Sequence, residues 1–443
     1  MDTGDTAWVL ASAALVLLMT PGLALFYGGM VRTKSVLNMM MMSFGALALI
    51  SVLWVLYGYS VAFGDDLGGG LVGDPTQFLG LSGLLGDSNL VFTVPAMAFV
   101  AFQAVFAIIT VALISGAVAD RAKFGAWMVF AGIWATIVYF PVAHWVFAFD
   151  GATAGEDSLG GWISNRLAAI DFAGGTAVHI NAGAAGLALA LVLGKRIGFG
   201  KDPMRPHNLT LVMIGAGLLW FGWFGFNAGS ALGANGIAAV AWVNTMVAAG
   251  AASLGWLLTE KVRDGHATSL GAASGVVAGL VAITPACSSL NPVGSIVLGL
   301  VAGGLCAMAV GLKFRFGYDD SLDVVGVHLV GGLVGTLGVG FLATADAPAG
   351  VDGLFFGGGV DQLWRQAVGA FAVLAYSFVV TFVLGTILQR TIGFRIDAED
   401  EVSGIDLAVH AESAYDLASS STGTFRPGAG AVSVSTSDEG VRA

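Results

Sequence analysis

Polar positions in this chain are sparse and clustered. Between the clusters lie apolar runs at or near the roughly 20 residues that cross a bilayer as a helix. They fall at 6–31, 36–63, 93–118, 125–148, 172–194, 207–228, 236–258, 267–284, 293–313, 324–344 and 362–389. Backbone N–H and C=O groups in lipid must be paired within the protein, and for runs of this length that means helices. The pattern therefore predicts an all-α integral membrane protein of eleven transmembrane helices, occupying residues 1–392. Beyond it the pattern changes twice. Residues 393–416 mix acidic and apolar positions, while 417–443 open on LASSSTGTFRPGAGAVSVSTSDEG, a Ser/Gly-rich composition that predicts disorder.

Loop charge orients these helices. Arg32 and Lys34, Arg121 and Lys123, Lys195 to Arg205, Lys261 and Arg263, and Lys313 and Arg315 occupy alternate connections, and only Arg166 and Arg365 break the rule. This places the N-terminus outside and the C-terminus inside. The fifth run carries His179 and the tenth His328, each in a Val-His pair with Gly four and seven residues later (Gly183, Gly186; Gly332, Gly335). Five is odd, so the second half crosses the membrane inverted relative to the first. An inverted 5+5 repeat is a transporter plan, with the substrate path at the repeat interface. The eleventh helix has no repeat partner and braces the bundle.

Composition supports the membrane reading. Hydrophobic residues make up 56% of the 443 and charged residues 11%, with a mean hydropathy of +0.85; a soluble domain carries roughly 25% charged residues. The net charge of −11 argues against nucleic acid as a partner. Cys287 and Cys306 show neither metal spacing nor a disulfide framework. The start, MDTGDTAW, has no basic n-region and reads as a mature N-terminus.

An ionisable side chain at membrane depth is expensive, which makes His179 and His328 candidates for function. Two facing neutral imidazoles can share one N–H, leaving a donor at one end and an acceptor at the other. A metal would lack a third ligand, because His144, His207, His266 and His410 lie near span ends or in the tail. Asp171 opens the run DFAGGTAVHINAGAAG, and the run DVVGVHLVGGLVG from Asp323 is its second version. As an N-cap Asp171 would bond the first-turn N–H groups and fix nearby carbonyls that can face a cation. Phe102 and Phe106 share a helix face, as do Trp220, Trp223, Phe226 and Ser230. Such stripes suit plain packing, and also a cation held by aromatic faces and a hydroxyl. No Ser/His/Asp set, metal cluster or phosphate loop accompanies them, so no enzyme is expected and no cofactor is called for.

Taken in order, PGLALFYGGMVR (21–32), FQAVFAIIT (102–110), DFAGGTAVHINAG (171–183), WFGWFGFNAGS (220–230), GAASGVVAGLVAITPAC (271–287), DVVGVHLVGG (323–332) and the tail pieces GFRI and ESAY resemble the ammonium transporter (Amt/Rh) family, prokaryotic Amt type, over residues 1–416. The resemblance implies a homotrimer in the plasma membrane, each protomer with its own pore for ammonium, ammonia and methylammonium. It implies that His179 and His328 are twin pore histidines and Asp171 the aspartate below the outer vestibule. Phe106 and Phe226 become the stacked rings closing the pore, Ser230 the hydroxyl of the ammonium site, and Trp223 and Thr284 pore lining. Where the family usually has Trp three residues after the histidine of PVAH, this chain has Phe147, which then walls that site. Residues 393–416, with Arg395, Gly404 and Tyr415, become a cytoplasmic regulatory segment that helps dock a PII signalling protein, its acids meeting the basic loops at Lys195–Arg205 and Lys313–Arg315. The function implied is transport: ammonium recruited outside, deprotonated, and ammonia conducted past the histidines. The alternative is an ammonium sensor that signals through its tail with little flux.

Overall fold

A computed structural model describes residues 1–86, 88–153 and 158–415, so the tail from 417 on lies outside the described residues. Among them, ten helices are long and apolar enough to cross a membrane: α1 (Thr3–Met30), α2 (Thr33–Phe63), α3 (Ala96–Val118), α4 (Phe124–Phe147), α5 (Gly175–Leu193), α6 (Leu209–Gly229), α7 (Gly236–Asp264), and, after a shorter α8, α9 (Pro292–Phe316), α10 (Val325–Leu342) and α11 (Asp361–Thr391). The run expected at 267–284 forms that shorter α8, Ser269–Ile283, of 15 residues. At 1.5 Å per residue it rises only about 22 Å, short of a hydrocarbon core of about 30 Å. Pro285, which lacks an N–H to continue the ladder, follows directly on its C-cap Thr284.

The helix starts follow from local chemistry. Asp2, Asn208, Asn235, Thr268 and Asn291 accept backbone N–H bonds at the first turns of α1, α6, α7, α8 and α9. With lipid as apolar as the side chains, contact between helices depends on close backbone approach at small residues. Thus Gly22 of α1 faces Leu218 of α6, and Gly255 and Gly299 bring α7 and α9 together. At one end of the bundle, β1 (Asp66–Leu67) pairs antiparallel with β2 (Val72–Gly73), and β3 (Leu90–Val91) with β4 (Val94–Pro95).

The opposite end carries the C-terminal segment, folded back on the helices. Arg395 bridges to Ala122, the Lys123 N–H donates to the Phe394 carbonyl (2.9 Å), and Phe394 is buried. Helix α12 (Ala398–Ser403) carries Glu401, which accepts from Arg395 (2.7 Å) and from the Ile197 N–H (2.6 Å). Asp406 accepts from the N–H groups of Leu37 and Asn38 (2.9 and 2.8 Å) and so caps α2. Gly404, at φ 134°, packs against Lys34, whose ammonium donates to the Val402 carbonyl, and the Tyr415 hydroxyl meets His207 Nε2 at 3.0 Å.

The basic loops meet the tail only in part. Lys313 pairs with Asp323 (2.6 Å), and Arg196 with Asp120 (3.0 Å) and Asp319 (2.9 Å), all outside the tail. Burial opposes the Asp319 carboxylate, but its hydrogen bonds from Arg196 and the Arg121 charge beside it hold it below the usual range. Lys313 is thus paired within its own loop and Arg196 with acids of two other loops, while of the tail acids Glu401 and Asp406 accept from backbone N–H groups of the bundle.

Candidate functional site

Both histidines sit in π-helical turns, Gly175–Ile180 before Asn181–Leu193 and Val325–Leu329 before Val330–Leu342. Single π turns inside helices concentrate at functional sites. The glycine four residues after each histidine explains how the two turns meet. A Cβ on Gly183 would lie 2.5 Å from the Leu329 N, and one on Gly332 would lie 3.1 Å from the Ile180 N. Each repeat thus presses a bare glycine against the residue following the other repeat's histidine.

As a result His179 and His328 touch: Nδ1 to Nδ1 is 3.2 Å, with ring centroids 5.3 Å apart and planes within 13°. One shared N–H fits that distance, giving one ring a bare Nε2 and the other an Nε2–H. His179 Nε2 is buried with no hydrogen-bond partner among the described residues. Trp223 stacks on His179 (5.3 Å, 16°), and its indole N–H donates to Thr284 Oγ1 at 2.8 Å. Thr284 therefore reaches the histidines through Trp223.

A line of cavities runs through this point. The largest, about 890 Å³, opens at the end bearing the β-hairpins and is lined by Phe99, Phe102, Gln103, Phe147, Asp171 and Ser230 among others. We call it the vestibule. Behind its lining residues Phe102 and Phe147, which meet Phe106 at 4.9 and 6.3 Å, stands the Phe106–Phe226 stack (4.1 Å, 17°). Below lies a space of about 10 Å³ walled by Phe226, Trp223, His179, His328 and aliphatic side chains. Another of about 10 Å³ runs from His328 past Tyr27 and Ser274 to Asp323. Ser230 donates to the Phe226 carbonyl (2.9 Å), so its oxygen lone pairs remain free to accept. Trp145 is elsewhere, donating to the Leu71 carbonyl (2.7 Å) and packed on Trp162 and Tyr376.

Asp171 caps its turn fully, accepting from the N–H groups of Gly174, Gly175, Thr176 and Ala177 at 2.6 to 3.0 Å. Its counterpart in the second repeat is not Asp323 but Asp320, which accepts from Val324 (3.1 Å) and Val325 (2.7 Å). The spacing carried the signal: each aspartate stands eight residues before its histidine, 171 to 179 and 320 to 328. Asp323, at φ 64°, turns instead to Lys313. Gln103 is the other residue missed. With Phe99, Phe102 and Phe106 it completes a stripe at offsets 0, 3, 4 and 7 on one face of α3.

The fold defines a multi-pass membrane protein, with a buried line of cavities that passes two touching histidines. The chain belongs to the Ammonium Transporter Family, whose sequence profile matches residues 7–415. It is 64% identical over 447 residues to an ammonium transporter of Mycobacterium tuberculosis (strain ATCC 25618 / H37Rv), covering 96% of this chain and 93% of that one. To an ammonium transporter of Bacillus subtilis (strain 168) it is 46% identical, covering 94% and 99%. Among solved structures it is similar to Candida albicans Mep2 (TM-score 0.81, 35% identity, 90% of this chain and 88% of that one) and to a sensor Amt protein (TM-score 0.83, 28% identity, 91% and 98%).

Proposed function

We propose that the protein moves ammonium nitrogen inward across the plasma membrane. Ammonium enters the vestibule, held by the Phe106 and Phe147 rings, the Ser230 hydroxyl and carbonyls fixed by the Asp171 cap. It loses a proton there, and neutral ammonia passes the Phe106–Phe226 gate and the His179–His328 pair. The observation that carries this reading is the succession along one line of a large vestibule, a closed aromatic stack and a hydrogen-bonded imidazole pair in apolar walls. A bare ammonium ion is too poorly solvated in such walls to remain charged. Ammonia can both donate to and accept from the imidazole edges. Potassium has the charge but no proton to lose.

In this reading α8 counts as the eighth of eleven spans, related by an inverted 5+5 repeat, with the vestibule and N-terminus outside and the tail inside. Residues 1–392 form the transport domain. Residues 393–416, through Arg395, Gly404 and Tyr415, form a regulatory segment available to a PII-type protein, and residues 417–443 are a disordered extension. Three copies assemble, each with its own path.

The likeness to a sensor Amt protein favours a second reading, in which ammonium is bound and reported through the tail with little flux. The 64% identity to a transporter weighs for flux. Methylammonium uptake into proteoliposomes of the purified full-length protein separates the two. Uptake well above empty vesicles, abolished or uncoupled by His179→Ala or His328→Ala in a protein that still assembles, supports transport. Binding without uptake supports the sensor.

A further inference from the structure

Gln103 is a polar residue of the vestibule lining whose role the aromatic and hydroxyl groups leave open. It projects from α3 between Phe99 and Phe106, lines the vestibule with Phe147 and Ser230, and is only 6% exposed. Its Oε1 is buried and has no hydrogen-bond partner among the described residues. A buried amide carbonyl left without a donor is destabilising, and native proteins rarely keep one without a reason. Ammonium brings four N–H donors, whereas the groups assigned so far offer the Ser230 hydroxyl, the carbonyls beside the Asp171 cap and ring faces. The terminal amide of glutamine turns easily about its last torsion, so its oxygen can follow a small cation to the floor of the vestibule.

We infer that the Gln103 amide oxygen is a direct ligand of ammonium in the vestibule, sharing the four N–H groups with Ser230 and adding affinity that the phenyl rings alone do not supply. This rests on the vestibule being the ammonium site. A carbonyl oxygen aligned on an N–H⁺ makes a charge-assisted bond, stronger than a neutral one. Once ammonium gives up its proton, the remaining ammonia keeps a weaker hold on the same oxygen, so the contact selects the cation at entry and releases the neutral molecule.

The test uses full-length protein and ammonium itself as the probe. The half-saturating ammonium concentration is measured by concentration-dependent current or methylammonium competition, and by calorimetric titration in detergent. Gln103→Leu and Gln103→Met, which fill the space without the acceptor, are expected to raise it about tenfold. Gln103→Glu, which keeps an oxygen in place, is expected to stay within threefold of the parent or bind more tightly. A rise below threefold in both apolar variants overturns the inference. So does equal weakening in Gln103→Glu, because it would mean that packing and not the acceptor matters. Calorimetry keeps the two readings apart. A parent protein that binds ammonium but moves none refutes transport and leaves the Gln103 comparison decisive.

Discussion

Replacing Gly183 by alanine tests the histidine contact from a distance. The added Cβ would stand 2.5, 2.6 and 2.7 Å from the N, Cβ and Cα of Leu329. Those atoms belong to a buried turn whose backbone cannot swing aside as a flexible side chain would. Reaching the 3.4 Å of ordinary contact requires the two turns to part by about 0.7 to 0.9 Å. Leu329 directly follows His328, so the same movement stretches the 3.2 Å imidazole pair toward about 4 Å, beyond hydrogen-bonding range. Overpacking of this kind costs about 1–3 kcal/mol of stability. A misplacement of about 1 Å in a working geometry costs on the order of 10²-fold in rate. Methylammonium uptake by Gly183→Ala proteoliposomes should fall at least tenfold while the protein still assembles. Gly186→Ala, whose Cβ meets Ala117 and Val324 side chains at 3.1 Å, should lose much less, and Gly217→Ala, with nothing within 4 Å, should transport normally. Full uptake in Gly183→Ala would refute the idea that the glycine holds the imidazoles in register.

Phe147→Trp should tighten apparent ammonium affinity or leave it slightly better, and Phe147→Leu should weaken it. Neither shift should exceed about thirtyfold, because cation–π attraction is worth roughly 0.5–2 kcal/mol; identical half-saturation in all three proteins would remove Phe147 from the site. Asp171→Ala should lower the melting temperature of the purified protein more than Asp320→Ala, since it strands four backbone N–H groups and the other two; the reverse order would contradict the cap assignments. Deleting residues 417–443 should leave uptake intact, whereas deleting from 393 should impair it by uncapping α2 at Asp406; equal behaviour of the two truncations would count against a regulatory role.

The helices were legible because lipid imposes one rule, an apolar run of sufficient length, and the structure departs from the expected ends by only a few residues, except at the C-terminal end of α7. The histidine contact was legible because a repeat leaves two copies of the same local setting. What escaped depended on geometry rather than pattern. The shared Val-His-Gly setting points to Asp323 as the start of the second copy, but a left-handed backbone turns it toward Lys313, and only the eight-residue offset marks Asp320. Gln103 was hidden among aromatics, since no pattern shows which buried amide will lack a partner. The tail's use of Asp406 as a cap for a helix more than 300 positions earlier is likewise invisible to any local rule.

The closed ring pair above the histidines has a kinetic consequence. Phe106 and Phe226 lie in face-to-face contact at 4.1 Å with hardly any exposure, so no solute slips between them while both rings rest. On the proposed path each molecule waits for a fluctuation that parts the rings, and buried aromatic motions are slower than those of exposed side chains, which turn on the ps–ns scale. Throughput is then counted in discrete passages, one per opening, and grows with temperature as ring mobility does. An open water column would instead answer chiefly to its width and to the gradient across it. On the proposed path the same stack also interrupts any hydrogen-bonded file of water while the two rings rest in contact.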